Sequence, residues 1–195
     1  FEGCTVLKDV AMPSTLISIG ERAFYGCIGL RTMKIPDSVT SIGKQAFENC
    51  TSLESVSISE SLTNIEENVF YSCTALKYVT IPGSVKNIGR YAFEKCTDLT
   101  YVEICEGVIK IDYGAFFGCE NMTGVSIPYS VKTIGNSAFL SCDKINQVIY
   151  NSLAKNWSKI NIGDHNDPLN NAQKRYSTEI LSEGICGDNA RWCFD

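Results

Sequence analysis

The chain has 195 residues, of which 44% are hydrophobic and 20% charged, and a formal charge of −5 from 17 basic and 22 acidic side chains. Those proportions fit one folded domain with at most a piece of another and exclude a disordered chain. An acidic balance with no basic run argues against nucleic acid or an anionic membrane as partner, no stretch approaches the ~18 apolar residues of a membrane span, and the single histidine, His165, excludes any site that needs two imidazoles.

The chain opens Phe1-Glu2-Gly3-Cys4, which aligns with Phe24-Tyr25-Gly26-Cys27. It therefore starts inside a repeat and carries neither the basic nor the apolar region of a secretory leader. A solenoid normally has a polar cap, so the expectation is a fragment of a longer protein, and the missing leader then says nothing about secretion.

From there the sequence repeats. Cys4, Cys27, Cys50, Cys73, Cys96, Cys119 and Cys142 fall at intervals of 23 residues. Leu7, Leu30, Leu53, Leu76, Leu99, Met122 and Ile145 keep the same step, as do Val10, Met33, Val56, Val79, Val102, Val125 and Val148. Further columns hold isoleucine (Ile35 to Ile127), valine or leucine (Leu16 to Val131), a second isoleucine (Ile19 to Ile134) and phenylalanine (Phe24 to Phe139). One unit reads L-x-x-V-x-I-P-x-x-V-x-x-I-G-x-x-A-F-x-x-C-x-x. V-x-I is the alternation of a short strand with two side chains on one face. Pro13, Pro36, Pro82 and Pro128 end that strand, because proline donates no ladder hydrogen bond. A second extended piece follows, and Gly20, Gly43, Gly89 and Gly135 are expected to turn, with φ positive. A-F-x-x-C has the spacing of one helical or 3₁₀ turn. A 23-residue unit encloses no core alone, so the units must stack, with strands ~4.8 Å apart.

After Tyr150 the period fades. Leu153, Trp157, Ile160 and Ile162 predict an amphipathic helix over 151–162 that covers the last coil. Residues 163–169 are rich in turn formers. The expected domains are a solenoid over 1–150, of about six full repeats with partial ends, a closing segment over 151–173, and a linker with the start of a truncated neighbour over 174–195.

The repeat resembles that of the BspA-like leucine-rich repeat surface proteins, whose motif I-P-x-S-V-x-x-I-G-x-x-A-F-x-x-C is matched by Ile35-Pro36-Asp37-Ser38-Val39 through Ala46-Phe47 and Cys50. Ser59 and Cys105 depart from the proline column, and Glu66 and Asp112 from the glycine column. The resemblance implies an α/β repeat solenoid, β-rich with short helical turns. It also implies a bacterial cell-surface or secreted adhesin that binds a protein on a host or other cell and has no cofactor. The 151–173 stretch resembles the family's closing segment, in which a tryptophan-bearing helix precedes a turn. Cys186-Gly187-Asp188-Asn189 with Trp192 resembles the opening of a module that often adjoins such repeats in secreted bacterial proteins.

Seven in-register cysteines cannot all pair with each other, since seven is odd, and one strand spacing exceeds the ~3.8 Å between Cβ atoms in a disulfide. Zinc sites favour close pairs such as C-x₂-C, and none is present. A buried ladder of thiols is the preferred reading. Cys105 is expected near the surface, and Cys186 and Cys193 are open to bridging one another. The run around His165 reads as a turn rather than a metal site. No nucleophile, base and orienter converge, so no catalytic residue is assigned.

The outward columns beside the strand valine vary from coil to coil and are the candidate contact surface. They bring Tyr78 beside Tyr101 and Thr80 beside Glu103, with Lys34 two coils away; Lys34, Tyr78, Thr80, Tyr101 and Glu103 are the candidate ligand-binding residues. Exposed tyrosines on a rigid sheet suit a protein ligand. They would also suit stacking on a glycan, or simply on one another in a passive spacer. Arg90, Tyr91 and Tyr113 form a second exposed stripe near the glycine turn.

Overall fold

The computed structural model describes residues 1–176. In chain order the strands alternate between two sides of a coil. One side holds β2 (Thr32–Lys34), β4 (Ser55–Ser57), β6 (Tyr78–Ile81), β8 (Tyr101–Ile104), β10 (Gly124–Pro128), β12 (Gln147–Asn151) and β14 (Gln173–Tyr176), joined in a seven-stranded sheet. The other holds β5 (Asn64–Ile65), β7 (Asn87–Ile88), β9 (Lys110–Ile111), β11 (Thr133–Ile134) and β13 (Asn161–Ile162) in a five-stranded sheet, with β1 (Ser18–Ile19) and β3 (Ser41–Ile42) as a separate pair. Every pairing is parallel, and Tyr78 faces Tyr101 as Gly124 faces Gln147, each 23 residues on. The repeat is therefore a β-solenoid of the leucine-rich repeat kind, with one coil per period.

The periodic side chains form its core. Val79, Ile81, Val85, Ile88, Phe93, Cys96 and Leu99 of one coil are all fully buried. Phenylalanines from Phe1 to Phe139 stack in one file, with six successive centroid distances of 5.1–5.4 Å and interplanar angles of 17° or less. Such contacts contribute about 0.5–1.5 kcal/mol each beyond area burial.

The cysteines form a second file. Each thiol from Cys27 to Cys142 donates to the carbonyl of the phenylalanine 26 positions earlier, at 3.1–3.2 Å. No disulfide joins the seven cysteines of this column. Burial pushes the Cys50 thiol up to about 12 and raises Cys73, Cys96 and Cys119 well above the ordinary range. Cys105, expected near the surface, is buried (5% exposed): its amide continues the ladder to the Ile81 carbonyl at 2.9 Å, and the neighbouring coil at Gly83 packs close to its Cβ.

The A-F-x-x-C segment follows the 3₁₀ half of its expectation, with single 3₁₀-type bonds and no continuous helix, whereas the expected positive φ at the consensus glycines needs correcting. Ala92, Glu94 and Cys96 donate to carbonyls three residues back, whereas Tyr91, Phe93 and Lys95 donate to Tyr113, Ala115 and Phe117 of the next coil. With every second amide directed outward, no i→i−4 ladder can develop. The alternation requires left-handed residues, and these are not the consensus glycines. They are Arg22, Gln45, Asn68, Tyr91, Gly114 and Ser137, two positions further on, and a second column that includes Gly26, Asn49, Ser72, Lys95, Gly118 and Ser141. Gly43, Gly89 and Gly135 instead permit close approach, since a Cβ there would lie 2.4–2.6 Å from backbone atoms of the preceding coil.

The last coil is longer. Gln147 faces Gln173 and Thr133 faces Asn161, and the extra residues hold two short helices, α1 (Ala154–Trp157) and α2 (Asp167–Asn171). The amphipathic helix expected over 151–162 is thus only one turn, because Asn161 and Ile162 leave it to extend the shorter sheet. Asn166 pins this coil. It is 1% exposed, accepts from the Phe139 amide at 3.0 Å and donates to the Gly135 and Gly163 carbonyls at 3.0 and 2.8 Å. His165 beside it is an exposed turn residue with φ of 60°. Cys186, Cys193 and the neighbouring-module motif lie outside the described residues.

Candidate functional site

Alternation along β6 and β8 decides which side chains face out. Val79, Ile81, Val102 and Ile104 are 0–1% exposed, so Tyr78, Thr80, Tyr101 and Glu103 stand on the opposite face. In-register pairing sets Tyr78 beside Tyr101 and Thr80 beside Glu103. The two rings stack at 6.0 Å with an interplanar angle of 4°. Tyr78 donates its hydroxyl to Glu103 Oε2 at 2.6 Å, a charge-assisted bond, and Thr80 Oγ1 lies 3.2 Å from the Tyr78 hydroxyl and 3.3 Å from that carboxylate oxygen. Burial, and after it donation to Glu103, pushes the Tyr78 phenol up to about 12; burial, and after it the Glu103 charge, does the same to Tyr101. Both rings are therefore neutral donors at physiological pH.

Tyr101 owes its position to its neighbour on β10. Gly124 has no side chain there, and a Cβ would come within 3.1 Å of the ring. Beyond it Ser126, the β10 residue paired with Glu103, accepts from the Asn151 amide at 3.4 Å. Polar side chains thus occupy the outer face of four neighbouring strands, from β6 to β12. Four of the five candidate residues are together. Lys34 is the exception: it is exposed on β2, with β4 between it and Thr80, and makes no hydrogen bond or ion pair with the described residues.

The second stripe also assembles. Tyr91 and Tyr113 meet edge to face at 5.3 Å and 86°, with the Arg90 guanidinium 5.8 and 5.5 Å from their centroids. Sequence reasoning passed over Glu94, which lies beside this stripe and is only 8% exposed. Its column, Tyr25, Glu48, Tyr71, Glu94, Phe117 and Leu140, sets two glutamates among aromatic and apolar residues, and that mixed composition was the available signal. Among the described residues no three His, Cys, Asp or Glu side chains are grouped to hold a metal ion.

The architecture and this face define a leucine-rich repeat scaffold, with buried columns that stay apolar from coil to coil and an outer wall that varies. The chain belongs to the BspA-type leucine-rich repeat family. The BspA type leucine rich repeat region matches residues 1–123 and 63–163, with six copies. Its fold is similar to that of a T. pallidum leucine-rich repeat protein, at 28% identity and a TM-score of 0.68, covering 76% of this chain and 67% of that one. A leucine rich cell surface protein of Faecalibacterium prausnitzii is 32% identical with a TM-score of 0.54, over 77% of this chain and 34% of its own. A leucine-rich repeat protein of Eubacterium ventriosum is 25% identical with a TM-score of 0.60, over 63% and 33%. The chain thus spans about a third of the length of these last two. No curated protein matches it. Leucine-rich repeats are in general protein-interaction modules.

Proposed function

We propose that this chain is a cell-surface or secreted module that binds a protein ligand, adhering to host or other cells through the open face of its long sheet. Tyr78, Thr80, Tyr101 and Glu103 form the centre of the contact, and Lys34 lies at its rim. The observation that carries this reading is the Tyr78–Glu103 bond of 2.6 Å beneath two parallel rings, which fixes an aromatic patch before any partner arrives. A preordered tyrosine loses little rotamer entropy on binding, so its buried area converts efficiently into affinity. The membership in a family of interaction repeats and the description of one similar protein as a cell surface protein support the compartment. Among the described residues no helix is long and apolar enough to cross a membrane.

The test is an array of immobilised host extracellular proteins probed at micromolar concentration. Hits are expected to bind Tyr101→Ala about tenfold or more weakly, the loss usual for one anchoring ring. A passive spacer would give no hit, and attachment of cells bearing the parent protein would not change in Tyr78→Ala or Tyr101→Ala.

A further inference from the structure

The outer face of the long sheet is stepped and its charge is divided. The pairings Thr32–Ser55, Ser55–Tyr78 and Tyr78–Tyr101 set one outward column across β2, β4, β6 and β8, and Lys34–Ser57 and Thr80–Glu103 set the other. The first column is low on β2 and β4 and tall on β6 and β8. The second carries a cation at one end and a carboxylate at the other, with hydroxyls between them.

Neither charge has an ionic partner among the described residues. Glu103 meets the hydroxyls of Tyr78 and Thr80 through Oε2 alone, at 2.6 and 3.3 Å, which leaves Oε1 without a donor. Lys34 is exposed. Three strand steps separate the two residues, about 14 Å, so they cannot meet within one copy.

A half-turn brings them together. A twofold axis in the plane of the contact, parallel to the strands and midway between β4 and β6, sets β2 of one copy over β8 of the other and β4 over β6. Each outward column then faces itself in reverse order. Lys34 faces Glu103 of the second copy, Ser57 faces Thr80, Ser55 faces Tyr78 and Thr32 faces Tyr101. Opposite charges meet, and each ring meets a small side chain. One axis satisfies all four pairs, which is the self-complementarity that an isologous interface requires. A face shaped for an unrelated partner is under no constraint to match its own half-turn image. Face-to-face packing of aligned sheets is itself an established arrangement.

We propose that the partner of this face is a second copy of the chain, paired sheet to sheet with the two solenoid axes running in opposite directions. The inference rests on the reading of this face as a contact surface and names what it contacts. Four strands at ~4.8 Å and about four residues along each give a footprint of roughly 250 Å² per copy. Stable interfaces bury ~800 Å² per partner, so this dimer is a transient one.

The test is sedimentation equilibrium of the full 195-residue chain in reductant, from micromolar to millimolar concentration. A monomer–dimer equilibrium is expected. Lys34→Glu and Glu103→Lys should each weaken it about tenfold or more, because each sets two pairs of like charges face to face, with far-UV circular dichroism and thermal midpoints retained. An equimolar mixture of the two variants should recover association, since every reversed charge then faces its opposite, and so should the double variant. No dimer at millimolar concentration would overturn the proposal, as would failure of both the mixture and the double variant to recover. Association undiminished in both single variants would also overturn it and would point to an end-to-end contact through the exposed Phe1, Val6 and Ile17. A monomeric chain that still binds a host protein on the array would sink the self-pairing alone; a monomeric chain with no hit would sink the contact surface as well.

Discussion

Replacing Phe93 by alanine would remove a central ring from the aromatic file. Phe93 is fully buried and stacks on both sides, at 5.1 Å on Phe70 and 5.3 Å on Phe116. Large-to-small core changes of this kind cost about 3–5 kcal/mol, the sum of lost transfer energy and a cavity that collapses only in part. The upper half of that range is expected here. Both lost stacks contribute about 0.5–1.5 kcal/mol each, and the interlocked ladders above and below leave little room to relax. Phe1→Ala is the internal control: Phe1 is 66% exposed with one stacking neighbour at 5.4 Å, and its removal should cost under about 1 kcal/mol. Urea titration followed by circular dichroism would measure both. A Phe93→Ala cost within about 1 kcal/mol of the Phe1→Ala cost would refute the continuous core file on which the fold argument rests.

Alkylation of the column thiols should be slow in the folded protein even at pH 9, because burial lifts their pKa and the thiolate is the reacting form; Cys96 labelled in the native state as fast as a small-molecule thiol would contradict this. In denaturant without reductant at least the seven column cysteines should be titratable, and two or fewer would defeat the ladder. The Tyr78 and Tyr101 phenols have folded pKa values raised from 10.0 to about 12, so the neutral form is the one that folding favours. The stability they contribute is present in full below pH 10 and falls as pH rises from 10 to 12; Glu103→Gln should move the Tyr78 transition in a 295 nm titration toward its ordinary value, and no movement would deny the bond. Asn166→Ala should cost about 1–3 kcal/mol from the orphaned Phe139 amide alone, with faster hydrogen exchange at Phe139 and unchanged exchange at Phe47.

What the sequence disclosed depended on whether a feature recurs. The columns of Leu, Val, Ile, Phe and Cys name the buried face, and each of them from the second coil onward lies in the core, apart from the half-buried Val56. The pairing of Tyr78 with Tyr101 and Thr80 with Glu103 follows from the same period. Backbone sign does not. A repeated glycine suggests positive φ or close contact equally well, and here contact decided it at Gly43, Gly89 and Gly135. The left-handed column at Gly26, Asn49 and Gly118 did carry a composition signal, whereas the column at Gln45 and Tyr91 carried none, because inter-coil amides impose the conformation on whatever side chain is present. Asn166 sits outside every column, so only the structure reveals that its side-chain oxygen takes the place of a backbone carbonyl in the next coil.

That imposed conformation explains how one frame can present such different surfaces. Tyr91 donates its amide to Tyr113 at 3.1 Å, as Gln45 does to Glu67 and Asn68 to Arg90, whatever their side chains. A left-handed residue other than glycine costs about 1–2 kcal/mol, and a coil interlocked with both neighbours can sustain several. Side-chain identity on the turn and on the outer sheet face is thereby released from the demands of folding. A tyrosine can stand at position 91 and a glycine at 114, and the ring of one can rest on the gap left by the other. On the sheet, the missing side chain of Gly124 makes room for Tyr101 in the same way. In both places a small residue on one coil positions an aromatic on the preceding one, so recognition surfaces arise from differences between adjacent coils rather than from any single repeat. Filling the gap on the sheet by Gly124→Val should tilt Tyr101 and weaken binding at the sheet face, whereas Gly114→Ala, which presses on Tyr91 at the turn, should leave that binding unchanged. Equal loss from the two substitutions would mean that the surfaces are coupled through the core and would remove the basis for treating them separately.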